Sequence, residues 1–371
     1  MNETTVRNAA AQFKFEGKYI NHFMSESGHI NYTYFVSYRQ NDNSIKRYIL
    51  QRINTHVFKK PEEVMENIKN VTDFIRKKVE AAGGDPEREV LSLVETIDGK
   101  YHFVDENGYF WRGYNVVENT ATYSKAENPY KFYKVGFSFG NFQRQLADFP
   151  ADKLYETIPN FHNTLSRYAD FEEAVRLDPL DRVKELEDEI NFVRSHKYLC
   201  SFIMDGIADG RFPLRVTHND TKMDNILVDK VTGEGVCIID LDTVMPGSVL
   251  NDFGDAIRFG ASSAEEDETD LDEVYVDVDM FEAFANGFIA GLNNSLSNEE
   301  IKALPMGALI LTLETGIRFL TDYINGDVYF RISRESHNLD RARNQFKLVE
   351  DMESKMPKFN RIVKKILTES H

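Results

Sequence analysis

The chain has 371 residues, 42% of them hydrophobic, enough apolar material for one large domain or two lobes and too much for a disordered chain. Its formal net charge of −17 argues against bare DNA or RNA, or an anionic membrane surface, as a partner of the whole molecule. The two cysteines, Cys200 and Cys237, supply neither a disulfide framework nor metal-ligand spacing, which suits a reducing compartment.

The N-terminal stretch "MNETTVRNAAAQFKF" has no basic segment followed by an apolar core, and no window reaches the roughly 18 apolar residues of a membrane span. The expectation is a cytoplasmic protein. With no exposed heptad or long edge strand evident, a monomer is expected.

"NYTYFVSYR" (31–39) and "IKRYILQRIN" (45–54) flank a polar turn and read as a hairpin. Residues 61–84 read as a helix, with Pro61 at its start, acids in the first turn and glycines at its end. Three further strands, 90–96, 101–106 and 109–118, are separated by the turn pairs Asp98–Gly99 and Asn107–Gly108. Beyond about residue 136 helical periodicity takes over, in 136–149, 181–207 and most of 280–370. A β-rich island, 215–242, interrupts it. The fold expected is α+β: a small antiparallel β lobe with one helix (1–118), a hinge near 117–120, and a larger, mainly helical lobe (119–371). The acidic stretch 264–279 reads as a solvated loop rather than a cation site.

The island carries "THNDTKMDNILVD" (217–229) and "CIIDLDTV" (237–244). Transfer of a phosphoryl group from ATP to a hydroxyl needs a carboxylate to orient the hydroxyl and take its proton. It also needs Mg²⁺ held by hard oxygens. In protein kinases an H-R-D-x-x-x-x-N motif and a later D-F-G acid do this work. Here Asp220 stands as the base and Asn225, five residues on, as a metal ligand. A hairpin over 226–240 is expected to bring Asp240 back as the second metal ligand. Asp242 lies on the same face if the strand continues. His218 reads as a histidine bracing the loop, and Asp252 and Asp255 as acids that brace it or cap a helix.

These motifs and the two-lobe layout resemble the aminoglycoside-phosphotransferase and choline-kinase family, which has a protein-kinase-like fold. Within it, "SGHINYTYFV", "YILQRINTHVFKKPEEVMENI", "ETIPNFHNTLSRY", "CIIDLDTVMPGSVLNDFGDAIRFGASSA" and "LETGIRFLTDYINGDVYF" are most similar to N-acetylhexosamine 1-kinases. The resemblance runs from about residue 25 to 335. It implies Mg²⁺ and ATP, and a sugar acceptor phosphorylated at its anomeric hydroxyl. It places Gly28, Asn31 and Thr33 near the phosphates or the sugar, and His29 either on the sugar side or in a plain hairpin turn. Val117-Glu118-Asn119 becomes the adenine hinge, acting through backbone groups. Arg318 becomes a sugar contact, and Asp242 a sugar or second metal contact. Other acceptors of the same fold, an aminoglycoside, choline, homoserine or a thio-sugar, stay open, as does a catalytically silent nucleotide binder. One departure stands out: where many relatives carry a strand lysine on the phosphates, this chain reads Ile49-Leu50-Gln51-Arg52. Gln51 or Arg52 is expected to take that place, with Glu66 as the helix partner.

Overall fold

The computed structural model describes residues 3–25 and 30–369. In chain order the first part of the molecule holds α1 (Glu3–Ala10), β1 (Lys18–Met24), β2 (Tyr32–Arg39), β3 (Ile45–Arg52), α2 (Pro61–Ala81) and α3 (Pro86–Glu89). It continues with β4 (Leu93–Val94), β5 (Phe103–Val104), β6 (Phe110–Asn115) and β7 (Thr120–Ala121). Then come α4 (Pro129–Gln145), α5 (Thr164–Leu177), α6 (Glu187–Ser195), α7 (Phe202–Ala208), β8 (Arg215–Thr217), β9 (Ile226–Asp229), β10 (Gly235–Ile238) and β11 (Met245–Gly247). The helices α8 (Val249–Gly260), α9 (Val278–Leu292), α10 (Asn298–Asn325) and α11 (His337–Glu369) complete the chain. An antiparallel β portion with few helices and a larger helical portion make up the kinase-like α+β fold expected from the sequence.

The chain divides into two compact units. Unit 1 comprises residues 1–121, 154–158 and 227–244; unit 2 comprises 122–153, 159–226 and 245–371. The β9–β10 hairpin, which the sequence reading grouped with the helical lobe, belongs to unit 1 by its contacts.

Unit 1 is built on an antiparallel sheet in the order β1-β2-β3-β6-β4, with β5 also on β6. Alternation along β2 and β3 sends Tyr34, Val36, Tyr38, Tyr48 and Leu50 to one face. There they pack with Val6, Ala9 and Ala10 of α1, and with Phe13, Phe15 and Trp111. The opposite face carries Thr33, Gln51 and Arg112, which are direct cross-strand neighbours. Pro61 opens α2, and Val64, Met65, Ile68, Val71, Ile75 and Val79 line its buried side. The sequence reading missed α1 and β1: α1 has only 8 residues, and the strand "KYINHFM" has no buried position to give it an apolar alternation.

Unit 2 is held by α4 against α9 and by α10 against α8 and α11. At the first contact Gly136 and Gly140 of α4 meet Gly287 and Gly291 of α9. A Cβ on Gly287 would stand 2.0 Å from the Tyr133 carbonyl, so only glycine permits this approach. The long α10 is apolar and long enough to cross a membrane by composition, but 89% of that window is buried inside the protein. The stretch 181–207, read as continuous helix, is broken between α6 and α7 by a short 3₁₀ turn at Lys197–Leu199.

Candidate active site

The loop that carries Asp220 lies in unit 2, between β8 and a 3₁₀ turn at Met223–Asn225. Its shape is dictated by buried acceptors. Asp252 of α8 accepts the backbone N–H of His218 at 2.9 Å and of Asn219 at 2.7 Å, and Gln143 Nε2 of α4 at 2.5 Å. Asp255, one helical turn on, accepts the Thr221 N–H at 2.8 Å and a guanidinium hydrogen of Arg258 at 3.0 Å. Burial pushes the Asp252 carboxyl above the usual carboxylate range, against the opposing pull of His218 and the two amides. Asn219 itself is left-handed at φ 64°, a conformation asparagine tolerates better than most residues. His218 is fully buried between Phe139 and Phe142, and its Nδ1 accepts the Asp220 N–H at 3.2 Å. The bracing roles read for His218, Asp252 and Asp255 thus have their atoms.

Asp220 points out of this braced backbone and keeps 28% side-chain exposure. Asn225 Nδ2 donates to its backbone oxygen at 2.8 Å and to its Oδ2 at 3.2 Å. That use of the amide nitrogen directs the Asn225 Oδ1, a hard acceptor, elsewhere. Lys222, two residues on, sets its ammonium 3.3 Å from Asp220 Oδ1. Burial is the largest single influence on the Asp220 carboxyl and raises it. The Lys222 charge, His218 and the Asn225 hydrogen bond outweigh burial and hold it below the usual range. Lys222 went unread in the sequence, although its spacing from Asp220 was visible.

The segment that carries Asp240 lies in unit 1. β10 ends at Ile238, and Asp240 is left-handed at φ 58° before a 3₁₀ turn at Leu241–Thr243. The strand does not continue, so the alternation expected for Asp242 fails. Asp240 is exposed, whereas Asp242 is buried. Both Asp242 oxygens are engaged by Arg112 of β6, and Oδ2 also accepts Asn31 Nδ2 at 2.6 Å. Arg112 Nε donates to Gln51 Oε1 at 2.9 Å, and Gln51 Nε2 donates to Thr33 Oγ1 at 2.9 Å. Asn31 Oδ1 accepts the Asn54 N–H at 2.9 Å. Four residues read as ligand contacts, Asn31, Thr33, Gln51 and Asp242, therefore gather around a fifth that was not read. Asp242, expected as a sugar or second metal contact, is buried here with both oxygens hydrogen-bonded within unit 1.

Arg112 also revises the reading of the absent strand lysine. Arg52 lies on the other face of β3, stacked between Tyr32 and Tyr109 at 4.0 and 4.3 Å. Glu66 is exposed on α2, and its neighbour Asn67 is the buried residue, donating to the carbonyls of Tyr155 and Val244. The buried cation of this sheet face comes from β6. Burial pushes its guanidinium down, and Asp242, Tyr114 and Asp240 overcome that and raise it. An arginine set between Trp111 and Gly113 in an apolar strand was the available signal.

At the expected hinge, the carbonyls of Val117, Glu118 and Asn119 already accept hydrogen bonds, from Thr120 Oγ1, Arg88 and the Lys230 N–H. The Glu118 side chain pairs with Arg47 at 2.7 Å. Gly28 and His29 lie outside the described residues.

In unit 2, Arg318 of α10 lies among three rings, with Phe161, Tyr329 and Phe330 at 5.4, 5.7 and 5.4 Å. Buried Asp322 shapes this surround: it accepts the backbone N–H groups of Val328, Tyr329 and Phe330, and so folds the 328–330 segment back onto α10. The acidic stretch 264–279 is not simply solvated. Glu266 pairs with Arg258 at 2.6 Å, Asp267 with His337 at 3.0 Å, and Asp277 caps α9.

A family model described as "Phosphotransferase enzyme family", APH, matches residues 25–279. The chain belongs to this phosphotransferase family. Solved structures share the fold at low identity. An aminoglycoside phosphotransferase from Alicyclobacillus acidocaldarius is 10% identical (TM-score 0.58), the match covering 97% of this chain and 96% of that one. An amicoumacin kinase, solved with AMP-PNP and Ca²⁺, is 14% identical (TM-score 0.59; 96% and 94% covered). A choline kinase from Cryptosporidium parvum is 13% identical (TM-score 0.56; 98% and 97% covered). For a phosphotransferase, the donor set is informative. Among the described residues no three His, Cys, Asp or Glu side chains cluster as a metal cage. Asn225 in unit 2 and Asp240 in unit 1 each offer an oxygen of the hard type that Mg²⁺ takes.

Proposed function

We propose that this phosphotransferase transfers the γ-phosphoryl group of ATP to the anomeric hydroxyl of an N-acetylhexosamine, N-acetylglucosamine or N-acetylgalactosamine, giving the sugar 1-phosphate and ADP. The observation that carries the reaction class is Asp220: a carboxylate kept ionised by Lys222 and Asn225, on a backbone locked by Asp252 and Asp255. Its Oδ atoms orient the acceptor hydroxyl and take its proton as the bond to phosphorus forms. By the sequence motif, Asn225 and Asp240 are the residues we assign as Mg²⁺ ligands. Bound Mg²⁺ would neutralise charge on the transferring phosphoryl group. The fixed backbone around Asp220 supplies orientation without reorganisation at the moment of transfer.

The sugar reading is supported by the sequence likeness to N-acetylhexosamine 1-kinases and by Arg318. Its guanidinium is surrounded by rings, offers several N–H donors, and makes no hydrogen bond recorded among the described residues. A ring-faced donor of this kind suits the apolar face, hydroxyls and acetamide oxygen of such a sugar. A second reading, a cationic acceptor such as an aminoglycoside, is favoured by the exposed acids Glu265, Asp270, Asp272 and Glu273.

The test is ADP release from Mg-ATP with each N-acetylhexosamine, and the position of the new phosphate by ³¹P NMR. Phosphate on the anomeric carbon is expected. Release only with an aminocyclitol or choline rejects the sugar in favour of the second reading, and ADP release that no added acceptor stimulates rejects both.

A further inference from the structure

One ionisable pair in unit 2 is not used above, yet it touches the catalytic loop. His162 precedes α5 and Glu314 lies in the middle of α10, 8% and 1% exposed at their side chains. His162 Nδ1 is 2.8 Å from Glu314 Oε1, and His162 Nε2 is 3.2 Å from the backbone oxygen of Asn219. The second Glu314 oxygen accepts Thr164 Oγ1 at 2.6 Å. Both ring nitrogens therefore face oxygen acceptors. A neutral imidazole has one N–H and would turn a lone pair on one of them, whereas an imidazolium donates to both.

Among the charged surroundings, ionised Glu314 favours a cation at His162, while the guanidiniums of Arg318 and Arg167 oppose it. Arg318 stands one helical turn from Glu314 on α10. Arg167 of α5 holds the Phe161 carbonyl at 3.1 Å, and burial and Arg318 push its guanidinium down. Burial pushes the Cys200 thiol up to about 11, with Glu314 adding to the shift. Burial alone would raise the Glu314 carboxyl, but His162, Arg318 and Thr164 hold it below the usual range. On the loop side the ring meets the neutral Asn219 carbonyl, which belongs to the peptide joining Asn219 to Asp220. The N–H of that same peptide is taken by His218 Nδ1 at 3.2 Å. Two histidines hold one peptide from its two ends.

We propose that Glu314 keeps His162 as an imidazolium, and that this cation is a positioning residue that grips the Asn219 carbonyl and aims the Asp220 carboxylate. The inference rests on the proposed role of Asp220. A His162 with a single N–H would lose one of its two hydrogen bonds and loosen the peptide before the base.

Glu314→Gln separates this from a merely structural role. The amide oxygen can still accept Thr164, and its nitrogen can donate to Nδ1 of a neutral His162, whose Nε2–H keeps the Asn219 bond. Imidazole ¹⁵N NMR, with the His162 signal assigned by its loss in His162→Gln, should show both nitrogens protonated at pH 7 in the wild type. In Glu314→Gln it should show Nε2 alone protonated. A neutral His162 in the wild type overturns the proposal, and this measurement needs no acceptor sugar. In ADP release from Mg-ATP and N-acetylglucosamine, the wild-type kcat should fall on the alkaline side while Glu314→Gln keeps its turnover there. His162→Gln should lower kcat on the order of a hundredfold with little change in KM for ATP. Superimposable pH profiles for the wild type and Glu314→Gln overturn the positioning role. If no sugar-dependent ADP forms in the wild type, the proposed function fails. The NMR result and amide exchange at Asp220, faster in His162→Gln if the grip exists and unchanged if it does not, then decide the pair.

Discussion

In the loop around Asp220, Asn219 is left-handed, and the amides of His218, Asn219 and Thr221 donate to two buried carboxylates. In the segment around Asp240 the aspartate itself is left-handed, and the buried group beside it is a cation–carboxylate pair, Arg112 with Asp242. Both arrangements fix an unusual backbone next to an acid proposed to act on the substrate or the metal. They differ in what is lost when one member is removed. A carboxylate that gathers neutral N–H groups can be replaced at the cost of those hydrogen bonds. A buried ion pair that loses one partner leaves an uncompensated charge. The Asp220 loop is thus held by several moderate contacts from one helix. The Asp240 segment leans on one arginine delivered from a strand 130 residues away, with Asn31 beside it on the same carboxylate.

The sharpest separation of the two regions is functional. Asp220→Asn is expected to lower kcat by roughly 10²- to 10⁴-fold, the usual contribution of a general base, while nucleotide binding persists. Asp240→Asn should instead raise the Mg²⁺ concentration needed for half-maximal turnover. ADP release titrated with Mg²⁺, beside ATP binding by calorimetry, measures both. An Asp220→Asn protein that still turns over would remove the base from the loop.

Next in size is the ion pair. Arg112→Met leaves Asp242 buried and unpaired and should cost about 3–5 kcal/mol of unfolding free energy in urea titration. Arg112→Met with Asp242→Leu should recover much of that loss, because no lone charge remains. If the single and double variants are equally unstable, packing rather than charge holds the segment. Asp252→Asn should cost less, about 1–3 kcal/mol, because the amide keeps one acceptor oxygen for two backbone N–H donors. A cost as large as that of Arg112→Met would erase the contrast between the regions.

The roles proposed for Asp220, Asn225 and Asp240 rest on local spacing, one loop and one hairpin, which sets their order along the chain. The α+β division is legible because strand and helix periodicities occupy different stretches. Arg112, His162 and Asp322 are not, since each acts on a partner or a segment that local periodicity does not tie to it: Asp242, Glu314 and the 328–330 turn. The orientation of Asp242 was hidden for the same reason. Two residues after Asp240 in a strand means the same face, but the left-handed turn at Asp240 sends it inward to Arg112. Glu66, the expected helix partner, faces solvent, and its neighbour Asn67 reaches the buried carbonyls.

The smallest expected effect isolates Lys222. The Asp220 carboxyl is held below the usual range because the Lys222 ammonium and the Asn225 hydrogen bond outweigh burial, which alone would raise it. The base form therefore persists as pH falls, and the acid limb of kcat/KM should lie below that of an ordinary carboxylate. Lys222→Met removes the cation and leaves burial to dominate, so the carboxyl rises and the acid limb moves to higher pH. Lys222→Arg keeps the charge and should leave the limb near its wild-type position. A kcat/KM profile taken through the acid range on all three proteins reads this directly. A limb that stays put in Lys222→Met would mean that Asn225 and the braced backbone suffice to keep Asp220 ionised without the Lys222 charge.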